Sequence, residues 1–234
     1  MVFMRFQALA TDYDGTLASH GRVDPATAEA LKRLRLSGRR LLLVTGRELP
    51  DLKQIFAELA LFDSVVAENG ALLYKPSSGQ ETLLCDRASV ELIERLRERN
   101  VPISVGQAIV ATNEPHHVAV LECIHELGLE LQVIFNKGAV MVLPSGVNKA
   151  TGLNHALREL DIAAENTIGI GDAENDHAFL AACGCRVAVA NALPSLKSHA
   201  QVVTRGSQGA GVLEVIEELL ANDFSRCASC GGAR

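Results

Sequence analysis

The chain has 234 residues, 48% of them hydrophobic and 21% charged, with 22 basic against 28 acidic side chains and a formal net charge of -6. That length allows one large domain, or one domain carrying a smaller insertion, with ample apolar content for a core. The composition excludes the basic stripe of a nucleic-acid binder, and no apolar run approaches the roughly 18 residues of a membrane-spanning helix. Residues 1–5 lack the charged-then-apolar layout of a secretory signal, so the expectation is a soluble, cytoplasmic protein. An anionic substrate would have to be held by local positive charge, since the whole molecule is acidic.

Taken in chain order, residues 6–10 predict a short buried strand that runs out at Thr11, directly before Asp12-Tyr13-Asp14-Gly15-Thr16. In an extended backbone, residues i and i+2 point to the same side, so Asp12 and Asp14 can face one site while Tyr13 points away. Gly15 then lets the chain turn without a Cβ penalty. Asp24-Pro25 reads as a helix N-cap followed by proline at the first helical position, with the helix stopping at Gly38. A continuous apolar strand over 40–45, a helix over 49–59 and a strand over 64–67 follow, the alternation of βαβ units in a parallel sheet.

The rhythm then changes. A hairpin over 71–84, a charged helix over 86–100, a β-rich segment, a further helix and two strands over 130–143 form a compact α+β unit, with bounds at 84–145. The βα alternation resumes with a helix from Lys149, a strand over 167–170 ending at Gly171-Asp172, a strand over 186–190 and a final helix over 211–220. The organisation expected is a parallel-sheet core, residues 1–83 and 146–222, with an inserted domain at 84–145 and a tail at 223–234.

The six cysteines are read as free thiols in a chain with so large a core. Cys85, Cys123, Cys183 and Cys185 read as packing residues, while Cys227 and Cys230 form only half a tetrahedral zinc site near the end of the tail.

Four groups fall at the C-terminal ends of predicted strands or at a helix start beside them: Asp12 with Asp14, Thr45-Gly46-Arg47, Lys149, and the run from Gly171 through Asp172 and Asn175 to Asp176. Open α/β sheets bind ligands in that crevice. Asp12 and Asp172 can hold a hard divalent cation, and magnesium favours oxygen ligands. Thr45 offers a hydroxyl, Gly46 an amide at a helix start, and Lys149 a point charge for a phosphate oxygen. With phosphorus so fixed, Asp12 can attack in line to give an aspartyl-phosphate. Asp14 can protonate the departing oxygen and then take a proton from the hydrolytic water. Arg47 reads as a surface or structural residue.

This joint pattern resembles the haloacid dehalogenase superfamily over nearly the whole chain to about residue 220. Asp12-Tyr13-Asp14-Gly15-Thr16 looks like its first motif, Thr45 its second, Lys149 its third, and Gly171-Asp172-Ala173-Glu174-Asn175-Asp176 its fourth. The insertion between the second and third motifs, with Glu68-Asn69-Gly70-Ala71 and Val189-Ala190-Asn191-Ala192, resembles the C2-capped, Cof-type and sucrose-phosphate-phosphatase-like branch. The resemblance implies an α/β fold, a Rossmann-like parallel-sheet core with a small α+β cap.

It also implies a magnesium-dependent phosphatase with Asp12 as nucleophile and Asp14 as acid/base. The Asp12 carboxylate, the Asp14 backbone carbonyl and Asp172 would hold Mg2+, and Thr45, Gly46, Lys149 and Asn175 the phosphate. Asp176 would support the metal shell or orient Lys149, and Asn191 would make a secondary polar contact. The cap resembles the compact caps of phosphoglycolate and sugar-phosphate phosphatases, with Asn113, His116, His117 and Lys137 as candidate substrate readers. The expected partner is a small phosphorylated metabolite, either a sugar phosphate or a phosphoglycolate-like acid, with neither nucleic acid nor membrane, for a monomer or homodimer. The alternatives are a phosphomutase, and a phospho-acceptor or binding module without turnover.

Overall fold

The computed structural model describes residues 4–227. Its strands and helices are β1 (Ala8–Thr11), α1 (Pro25–Leu36), β2 (Arg40–Val44), α2 (Leu49–Ile55), β3 (Ser64–Ala67), β4 (Leu72–Lys75), β5 (Gln80–Leu83), α3 (Val90–Glu98), β6 (Ser104–Val105), β7 (Val110–Asn113), α4 (His117–Leu127), β8 (Leu131–Asn136), β9 (Ala139–Pro144), α5 (Lys149–Glu159), β10 (Thr167–Gly171), α6 (His177–Ala182), β11 (Cys185–Ala188), α7 (Pro194–His199), β12 (Val202–Val203) and α8 (Gln208–Asn222). Short 3-10 turns fill several of the gaps.

Eight strands form one sheet in the order β12-β11-β10-β1-β2-β3-β4-β5. From β12 to β3 every pairing is parallel, and the β4–β5 hairpin adds two antiparallel strands at one edge. β1, β3 and β10 are buried along their whole length, which is why they read as unbroken apolar or small-residue runs. The chain leaves β1 toward β2 on one side and returns to β10 on the other, so the strand order reverses beside Asp12. That reversal opens the crevice in which α/β sheets bind ligands.

A second, antiparallel sheet has the order β6-β7-β9-β8. Val110 and Val142 pack with Leu92 and Leu96 of α3 and Val120 and Cys123 of α4. The alternate residues Ile109 and Met141 join Ala71 of the large sheet's connection instead. The period-two alternation of strands therefore gives this sheet one helix-covered face and one face turned toward the core. Among the described residues, no helix is long and apolar enough to cross a membrane.

Several boundaries differ from expectation for local reasons. α2 stops at Ile55 because Phe56 turns extended and inserts its buried ring beside Tyr13 and Phe62, at centroid distances of 5.4 and 6.0 Å. α3 starts at Val90, where the Ser89 hydroxyl accepts from Leu92 N–H at 3.1 Å. α8 begins at Gln208, since Gly209 and Gly211 serve close packing: a Cβ on Gly209 would lie 2.6 Å from Asp24 Oδ2.

The cysteine expectation is corrected. Cys185 and Cys227 form a disulfide, with Cα atoms 6.1 Å apart, and only Cys85, Cys123 and Cys183 are free among the described residues. Phe224 is fully buried, and Cys227 beyond it is 1% exposed at the end of a short 3-10 turn, Ser225–Cys227. Asp223 accepts from Arg5 N–H at 2.6 Å and pairs with Arg39 at 3.0 Å. The expected tail is thus tied to the core as far as Cys227; Cys230, the other half of the CxxC, lies outside the described residues.

Candidate active site

Asp12 sits one residue past β1, its N–H held by the Ile170 carbonyl of β10 at 2.9 Å, and is 4% exposed. Tyr13 points away as the alternation requires: its hydroxyl donates to the Gly21 carbonyl at 3.0 Å. Gly15 turns the chain at φ +83°, and a Cβ there would run into the Asp172 carboxylate. The turn is tied from behind by Asn191 Nδ2, which donates to the Gly15 carbonyl at 2.7 Å.

Lys149 opens α5, and the helix start is fixed by a capping box. Asn148 Oδ1 accepts from Ala150 and Thr151 N–H at 2.9 and 3.2 Å, and Thr151 Oγ1 accepts from Asn148 N–H at 3.1 Å. The lysine is 1% exposed, and its Nζ lies 2.5 Å from Asp12 Oδ1 and 2.6 Å from Asp176 Oδ1. The other oxygen of Asp176 accepts from the N–H groups of Asp172 and Ala173 at 2.8 and 3.0 Å. Gly171 is needed there, since a Cβ would lie 2.8 Å from Asp176 Cγ. Thr16 Oγ1 donates to Asp172 Oδ1 at 3.1 Å, and Lys137 Nζ from the β8–β9 turn pairs with Asp172 Oδ2.

The electrostatics of this cluster are unbalanced. Burial raises the pKa of Asp12 well above the usual carboxylate range, Lys149 opposes the rise, and Asp176 and Asp172 add to it. Burial likewise raises Asp172 against the pull of Lys137. Burial alone would lower Lys149, but Asp12 and Asp176 outweigh it and keep the side chain a cation. Oxygens of Asp12, Asp172 and Asp176 lie within 4.8 Å of one another. Three carboxylates therefore face two ammonium groups, and the remaining negative charge with all-oxygen donors suits a hard cation.

Above the cluster lies a cavity of about 430 Å³, lined by Asp12, Asp14, Thr45, Gly46, Arg47 and Asn175 from the large sheet's loops. Ile109, Ala111, Ala139 and Met141 of the second sheet close its far side. Thr45 is 1% exposed, and its hydroxyl accepts from Arg47 N–H at 3.1 Å. Asn175 Nδ2 donates to Asn69 Oδ1 at 3.0 Å.

Asp12 and Asp14 share the cavity but not an environment. Asp14 stands at the rim, where Arg47 holds it with two hydrogen bonds of 2.6 and 2.9 Å, and Arg47 also pairs with Asp51. Those hydrogen bonds raise the Arg47 pKa further. Arg47 is thus a wall of the cavity, and the expectation of a merely structural or surface side chain missed its contact with Asp14. Its signal in the sequence was adjacency to Thr45-Gly46.

Of the four candidate readers on the second sheet, Lys137 alone reaches the carboxylate cluster. Asn113, His116 and His117 are absent from the described cavity wall. Asn113 pairs with Ala139 in the β7–β9 ladder, and the His117 ring lies edge-on to Phe135 at 5.8 Å. Glu68 went unremarked as a contact residue, though it is fully buried and accepts from three N–H groups of the β6–β7 loop.

A family model described as haloacid dehalogenase-like hydrolase matches residues 9–114 and 122–216. The chain is similar to phosphoglycolate phosphatase 2 of Saccharolobus solfataricus, 30% identical over 229 residues that cover 93% of this chain and 94% of the relative. Similarity to a phosphoglycolate phosphatase of Methanothermobacter thermautotrophicus is also 30%, covering 92% of this chain and 99% of the relative. In fold it resembles the crystal structure of a haloacid dehalogenase-like hydrolase from Bacteroides thetaiotaomicron, with a TM-score of 0.80 at 21% identity over 92% of this chain and 99% of that one.

Proposed function

From the premise that this chain belongs to the haloacid dehalogenase-like hydrolase family, we propose that it is a magnesium-dependent phosphatase of a small phosphorylated carboxylic acid, 2-phosphoglycolate being the first candidate. One observation carries this reading: Lys149 is buried between Asp12 and Asp176, and Asp12 in turn lines a cavity of about 430 Å³. A cavity of that size suits a compact metabolite. Its walls carry an anion-ready set in Thr45, Gly46 and Arg47 and, on the second sheet, largely apolar side chains.

Asp12, Asp172 and the Asp14 carbonyl would hold Mg2+, whose charge would offset the repulsion between these carboxylates and an incoming phosphate. Thr45 Oγ1, the Gly46 N–H and Lys149 Nζ bind the phosphoryl oxygens, with Asn175 beside them. The Asp12 carboxylate attacks phosphorus in line with the leaving oxygen, giving an aspartyl-phosphate and an alkoxide. Asp14 gives its proton to that alkoxide. It then takes a proton from the water that attacks the aspartyl-phosphate, releasing phosphate and restoring Asp12. Asp176 keeps Lys149 on Asp12, and Asn191 fixes the Gly15 turn from which Asp14 projects. The unit at 84–145 acts as a cap, its sheet excluding water and choosing the leaving group.

Phosphate release from a panel of 2-phosphoglycolate, sugar phosphates and nucleotides, with Mg2+ and with EDTA, tests this reading. The expected result is metal-dependent turnover with the highest kcat/KM on the small phosphocarboxylic acid. Preference for nucleotides would overturn the substrate class.

A further inference from the structure

Glu68 is a fully buried carboxylate that the chemistry above does not use. It follows β3 at φ +49°, and Asn69 after it has φ +54°, so two consecutive non-glycine residues take the left-handed conformation. Such residues are strained and persist only where their surroundings fix them.

Three segments do so. The N–H groups of Glu68 and Asn69 donate to the carbonyls of Arg47 and Thr45, each at 2.9 Å. Asn69 Oδ1 accepts from Asn175 Nδ2 at 3.0 Å. The Glu68 carboxylate reaches out of the large sheet into the β6–β7 loop and accepts from Gln107, Ala108 and Ile109 N–H at 2.9, 2.8 and 3.1 Å. Successive backbone N–H groups of this kind form a concave anion cradle, here filled by a side chain of the same molecule. The approach is close at Gly106, where a Cβ would lie 2.6 Å from Glu68 Cδ and 2.7 Å from both oxygens. The same stretch of chain supplies Ser104, Ile109 and Ala111 to the cavity wall.

We propose that Glu68 is a positioning residue: it registers the β6–β7 loop against Thr45, Arg47 and Asn175, and so sets the cavity wall that meets the leaving group. The effect on turnover rests on the phosphatase reading; the clamp itself does not. A carboxylate has the lone pairs to serve three donors, and each charge-assisted hydrogen bond is stronger than a neutral one. Glutamine has the same shape, but its NH2 would face N–H donors and leave at least one unpaired.

The test uses Glu68→Gln, and Gly106→Ala to push a methyl into the same carboxylate from the other side. Amide hydrogen exchange is read for all three proteins, with steady-state kinetics on 2-phosphoglycolate and on p-nitrophenyl phosphate, whose good leaving group needs less positioning. In both variants, exchange at Gln107, Ala108 and Ile109 is expected to quicken by about tenfold or more, while β1 and β10 amides keep their protection. kcat/KM on 2-phosphoglycolate is expected to fall about tenfold or more, against less than about threefold for kcat on p-nitrophenyl phosphate. Unchanged exchange at 107–109, or equal losses on both substrates, overturns the proposal. A wild-type protein inactive on both substrates would overturn the phosphatase reading, and the exchange result would still decide the clamp.

Discussion

Arg47 holds Asp14 with both arms of its guanidinium, Nε lying 2.6 Å from Oδ2 and Nη2 2.9 Å from Oδ1. Two parallel N–H···O bonds fix a carboxylate in direction as well as distance, which a single ammonium cannot do. The pair stands at the cavity rim, so Asp14 is aimed by a neighbour that also presents positive charge to the cavity. Arg47→Ala is expected to lower kcat/KM on 2-phosphoglycolate by about tenfold or more, and Arg47→Lys to recover little of it. Full recovery by lysine would show that charge alone matters.

Asp172 pays for its place near Asp12 and Asp176 in stability. Burial raises its folded pKa, so the folded state at neutral pH holds an ionised group it disfavours. That penalty is present above the folded pKa and fades as pH falls through it toward the unfolded value of about 4. Asp172→Asn in EDTA is therefore expected to be more stable than wild type at pH 7, by of order 1 kcal/mol, with the advantage shrinking toward pH 4. Urea denaturation of both proteins across that range checks the sign.

Lys137 occupies an oxygen of Asp172 that a metal would use. The lysine side chain is 44% exposed and comes from a turn of the second sheet while Asp172 is fully buried, so solvent screens the pair from the lysine's side only. Lys137→Ala is expected to tighten Mg2+ binding, by up to about fivefold in calorimetry. The same variant is expected to raise KM for a substrate carrying a carboxylate, since it removes a cation from the turn that joins the wall residues Asn136 and Ala139.

Much of this arrangement was legible from local pattern. Asp12, Lys149, Asp172 and Asp176 each follow a buried strand or open a capped helix, positions that a parallel sheet sends to one edge. The chemistry of the cluster could be argued because charge and spacing travel with the sequence. Lys137 and Glu68 were harder, because their contacts depend on how the second sheet is set against the first, and Arg47 because its partner Asp14 comes from the loop of a different strand. Polarity near a loop end does not say which side the loop faces: Asn113 and His117 satisfied the same criterion as Lys137 and turned elsewhere. Boundaries slipped where a single side chain decided them, as Phe56 did for α2.

The disulfide is not legible in the sequence for a related reason. Cys185 opens β11 and Cys227 lies 42 residues later, so the pairing depends on the last helix returning to that edge of the sheet. A cross-link closing a loop of that length contributes up to about 4 kcal/mol in the chain-entropy picture. Reductant is expected to lower the wild type's urea midpoint and to leave that of Cys185→Ala unchanged, as read by circular dichroism.

The most direct measurement is phosphate release from 2-phosphoglycolate with Mg2+ by the wild type and by Asp12→Asn, each first shown to be folded. Asparagine keeps the shape at Asp12 but removes the attacking oxygen's charge, so turnover is expected in the wild type alone and to vanish with EDTA. Equal turnover by Asp12→Asn would contradict Asp12 as the nucleophile and the account built on it.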